Sequence, residues 1–67
     1  MEFEEDENCL KMEVSNDDDS ESQITIIHKH GIQLQLEHDF SDVYADLSLR
    51  KARILVQMLN RAIELNS

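Results

Sequence analysis

Three histidines, one cysteine and a run of acids are the side chains in these 67 residues with catalytic or metal-binding chemistry to offer. His28-Lys29-His30 sets two imidazoles close together, a spacing that suggests a transition-metal site. A closed site needs three or four converging nitrogen or sulfur ligands. His38 falls at the far end of the next apolar segment, roughly 20 Å away at ~3.3 Å per residue in a strand. Cys9 has Asn8 and Leu10 as neighbours and acids just upstream. Nothing basic stands beside it to favour the thiolate, so it reads as a plain strand thiol. Asp17-Asp18-Asp19-Ser20-Glu21 offers hard oxygen ligands. It lacks the glycine and the spaced bidentate glutamate of an EF-hand loop, so it reads as a solvated acidic loop. No metal and no cofactor are expected. Catalysis also lacks its parts: there is no glycine-rich phosphate loop and no nucleophile set beside a base and its orienter. The chain reads as non-enzymatic.

The elements that position these residues follow from periodicity. Residues 1–8 read as a flexible acidic tail, with Phe3 as the one large apolar residue. Residues 9–67 read as a single ββ(β)α domain. Cys-Leu-Lys-Met-Glu-Val, 9–14, alternates apolar and polar, the pattern of a half-buried strand with Leu10, Met12 and Val14 inward. Residues 15–22 form the polar, acidic loop. Gln-Ile-Thr-Ile-Ile-His, 23–28, is rich in β-branched side chains and predicts a second strand. Ile-Gln-Leu-Gln-Leu-Glu, 32–37, alternates cleanly and predicts a third.

Register decides the turn between the last two. A two-residue turn at His30-Gly31 would set Ile24 and Ile26 among Gln33, Gln35 and Glu37. A three-residue turn, Lys29-His30-Gly31, pairs Ile26 with Leu34 and Ile24 with Leu36. The apolar set then shares one face, and Gly31, the only glycine, falls where a left-handed residue closes the hairpin. Residues 38–47 read as a connector with a modest strand preference, because Val43, Ala45 and Leu47 alternate while Ser41 also suits a helical cap. The expected fold is α+β: a three-stranded antiparallel meander, with room for a short fourth strand, packed against one C-terminal helix.

That helix is predicted over 49–65, with Ser48 as N-cap and Asn66 at its end. At 100° per residue, Leu49, Ala52, Leu55, Val56, Leu59, Ala62 and Ile63 share an arc of about 140°, expected to lie on the sheet. Ile54, Met58 and Leu65 form a second stripe beside Arg50 and Arg61. Two covers suit that stripe. One is the connector folding over it with Phe40 or Tyr44 as lid. The other is a helix of a second copy or a partner, which makes these five residues the candidates for self-association.

Charge is unevenly distributed. Residues 1–46 hold 14 of the 15 acids with only Lys11 and Lys29 as cations, a net −12. Residues 47–67 hold Arg50, Lys51, Arg53 and Arg61 against Glu64, a net +3. Direct binding to nucleic acid or to an anionic membrane is disfavoured by repulsion. A basic protein surface, such as that of a nucleic-acid-binding protein, is favoured. The candidate contacts are Asp17, Asp18, Asp19, Glu21, Glu37, Asp39, Asp42 and Asp46, carboxylates standing in for a row of phosphates. In size and charge alone the chain resembles small acidic phage proteins that block host nucleases or defence complexes, anti-CRISPR proteins among them; no motif carries that resemblance. The alternative is a homodimeric structural or regulatory module associating through the helix. Arg50, Lys51 and Arg53 stand where the helix dipole disfavours cations. Pairing with Asp42, Asp46 or the nearby acids of the sheet is the simpler expectation, and the acidic face of a second subunit the other. A lone thiol, an acidic N-terminus and no long apolar run lead to an expected cytoplasmic location.

Overall fold

In a computed structural model, residues 2–15, 20–39 and 41–67 are described. They form an α+β fold, an antiparallel sheet of five strands followed by one C-terminal helix. The strands are β1 (Glu4–Glu5), β2 (Cys9–Ser15), β3 (Glu21–Ile27), β4 (Ile32–His38) and β5 (Ser41–Leu47), and the helix is α1 (Leu49–Asn66). Spatial order is chain order, a simple meander.

The register between β3 and β4 is the one that the three-residue turn demands. Ile26 faces Leu34, Ile24 faces Leu36, and Gly31 takes φ +92°. The sheet is wider than expected at both edges. Ser41–Leu47 is a full strand, with Leu34 opposite Ala45 and Leu36 opposite Val43. A two-residue connection, Asp39 and residue 40, joins β4 to β5, and Asp39 supplies a positive φ of 54°. Aspartate tolerates the left-handed region better than most residues, because its short side chain bonds locally. At the other edge, part of the segment read as a flexible tail is a strand. Glu4 pairs with Lys11 and Glu5 with Leu10, and the turn is closed by Asp6 N–H donating to the Cys9 carbonyl at 2.9 Å.

Pairing sorts the side chains into two faces. One carries Leu10, Met12 and Val14 of β2, Ile24 and Ile26 of β3, Ile32, Leu34 and Leu36 of β4, and Val43, Ala45 and Leu47 of β5. The other carries Lys11 and Glu13, Gln23 and Thr25, Gln33, Gln35 and Glu37, and Asp42, Tyr44 and Asp46.

Ser48 caps α1: its side chain accepts from the Lys51 N–H at 3.1 Å. The helix meets the sheet chiefly along β5. Only Ala52, Ile54 and Leu55 become half-buried. The arc expected on the sheet is open instead: Leu49, Val56, Leu59 and Ile63 are all more than half exposed. Ser48 alone links α1 to the edge strand β5, and only the first two turns of the helix are half-buried. Among the described residues no apolar side chain is fully buried, and the one buried side chain is Thr25, on the polar face.

Candidate functional site

The polar face is where the acidic residues come together. Directly opposite neighbours across β2, β3, β4 and β5 place Glu13, Gln23, Glu37 and Asp42 in one row. Glu37 and Asp42 are therefore like charges facing each other, an arrangement that costs stability in a sheet. Gln35 tempers it from one side. Its Nε2 donates to Glu37 Oε1 at 2.7 Å and to the Tyr44 hydroxyl at 3.1 Å. Asp46 sits two rows away, and its Oδ1 accepts from Gln33 Nε2 at 3.0 Å. Lys11, in the row between, is the one lysine or arginine among the strand residues of this face.

Four of the expected contact residues, Glu21, Glu37, Asp42 and Asp46, thus share a face. Glu21 stands at the start of β3, and together with Glu13, Glu37 and Asp39 it lines a shallow depression of about 200 Å³ at that end of the sheet. Asp39 belongs to the turn; its Oδ2 lies 3.4 Å from His38 Nε2, while His38 Nδ1 is 2.7 Å from Ser22 Oγ. Asp17, Asp18 and Asp19 lie outside the described residues. Glu13, not among the expected contacts, is a member of the row. The β2 alternation places it outward, and the register Gln23–Glu37 then brings it into line.

The self-association residues divide as well. Ile54, Met58, Arg61 and Leu65 line one open groove of about 430 Å³ along α1, with Gln57 and Ala62. Arg50 lies outside it. Of the two proposed lids, Tyr44 does not cover the stripe. Tyr44 faces Gln35 on the polar side of the sheet, and Phe40 lies outside the described residues. The expected pairing of the first-turn cations with Asp42 or Asp46 is also absent. Among the described residues the one lysine or arginine paired with an acid is Arg61, with Glu64 at 3.0 Å between Nη1 and Oε2.

Among the described residues no three histidine, cysteine, aspartate or glutamate side chains gather as a metal site. No helix there is long and apolar enough to cross a membrane. Comparison with protein-family models, with curated proteins and with solved structures finds no match to this chain.

Proposed function

We propose that this chain is a non-enzymatic protein-binding module, an inhibitor or adaptor that works in the cytoplasm. Its polar sheet face engages a basic, nucleic-acid-binding surface of another protein. One observation carries the reading: Glu13, Glu37 and Asp42 stand in a single cross-strand row, with Glu37 directly opposite Asp42. Like charges held in register are a local cost that a basic partner would relieve. Glu37 and Asp42 stand about 5 Å apart on neighbouring strands, and Glu13, with Gln23 between, about 10 Å from Glu37. The net −12 of residues 1–46 would speed the encounter with a cationic surface. A small phage-type inhibitor of a host defence complex is one protein of this kind.

The test is retention of proteins from the source cells on the immobilised chain. The comparison is with a variant carrying Glu13→Gln, Glu37→Gln and Asp42→Asn. The expected result is a partner that is lost in the variant, released steeply by salt and displaced by duplex DNA. Retention that is equal on both chains, or indifferent to DNA, would sink the reading.

A further inference from the structure

Two measures show a chain too open for its size. It exposes 6004 Å², whereas a folded monomer of 7.8 kDa is expected to expose about 4,400 Å². Its radius of gyration is 13.0 Å, against about 11 Å for a compact domain of this length. The excess surface, roughly 1,600 Å², is close to one protomer's share of an obligate dimer interface, which buries about 2,000–5,000 Å² in total.

Two of the exposed areas are apolar. The first is the sheet face. Met12, Leu36 and Val43 are exposed there, and Phe3, Leu10, Met12, Ile24 and Ile26, with Lys11, line an open depression of about 240 Å³. The second is α1. Counting both stripes, its apolar residues run from Ile54 round to Leu49, about 220° of the circumference at 100° per residue. A helix that is apolar over more than half its girth needs cover on two sides. One sheet edge supplies one.

We propose that a second copy of the chain supplies the rest: in a two-fold dimer, α1 of each protomer lies on the apolar sheet face of the other. Charge selects this arrangement over sheet on sheet. Facing sheets would oppose two segments of net −12, whereas the exchanged helix brings a net +3 segment to a net −12 one. The interface is isologous, so one patch pair occurs twice and closes the assembly.

The purified full chain, made in an unrelated host, should scatter light as a dimer across the micromolar range. Val43→Gln and Leu59→Gln alter side chains that a monomer leaves 60% and 57% exposed. A monomer would tolerate both. A dimer should be weakened by either, about a hundredfold or more, since each change enters the interface twice. Mode is read with two chains, both Cys9→Ser, one bearing Leu36→Cys and the other Leu59→Cys. A short bifunctional maleimide should join unlike chains in preference to like ones. A monomeric wild type, folded or molten, overturns the proposal and leaves the faces to a foreign partner. A dimer indifferent to both glutamine variants, or cross-linked only helix to helix, overturns it equally.

Discussion

Asp42→Asn removes one charge from the facing pair Glu37–Asp42 and leaves shape and strand propensity nearly unchanged. The β-carbons of directly opposite residues stand about 4.5–5.5 Å apart. With the carboxylates roughly 6 Å apart in solvent, two unit charges repel by about 0.7 kcal/mol. Screening at physiological salt cuts that to roughly half. Relief of the repulsion should therefore stabilise the fold by about 0.3–0.7 kcal/mol, a rise in Tm of about 2–4 °C for a domain of this length. Any lost acid also eases the general crowding of negative charge, so the proper reference is Glu7→Gln, outside the strands before β2. Thermal melts of the three chains, at equal protein concentration, at low salt and at about 1 M, separate the terms, because the Debye length falls to about 3 Å at the higher salt. The difference between the two variants should be present at low salt and vanish at high salt. If Asp42→Asn gains no more than Glu7→Gln at low salt, the two carboxylates do not feel each other and the row is no strained acidic site.

Three further outcomes follow from particular residues. Gly31→Ala has open space for its methyl group but must hold φ +92°, so it should lower stability by about 1–2 kcal/mol in chemical denaturation, with no change in the slope. Ser48→Ala removes the acceptor for the Lys51 N–H and should cost about 1 kcal/mol, read in the same way. Lys51→Glu places a carboxylate at the third helical position behind a serine cap, a capping box. It should raise stability by about 0.3–1 kcal/mol in the same assay.

The centre of the sheet was legible because one glycine and two alternating segments leave a single register that keeps Ile24, Ile26, Leu34 and Leu36 together. Its edges were not. Glu4–Glu5 has poor strand propensity, and its pairing depends on the turn that Asp6 and Cys9 close. Ser41–Leu47 carries Asp42 and Asp46 in a weak pattern, and β4 beside it decides the conformation. Periodicity likewise marks which arc of α1 is apolar but says nothing of what covers it. That depends on the path set by Ser48, one residue after an edge strand. The acidic face was half legible: alternation places Glu37 outward, but only the β5 register sets Asp42 against it.

The central claim is that the uncovered sheet face and the uncovered helix are two halves of one interface. Its most direct test is the molar mass of the purified chain in solution, by light scattering, with unfolding followed at several concentrations. A dimer of twice 7.8 kDa, with a Tm that climbs with concentration, is the predicted result. A monomer that unfolds cooperatively at a concentration-independent Tm would contradict it.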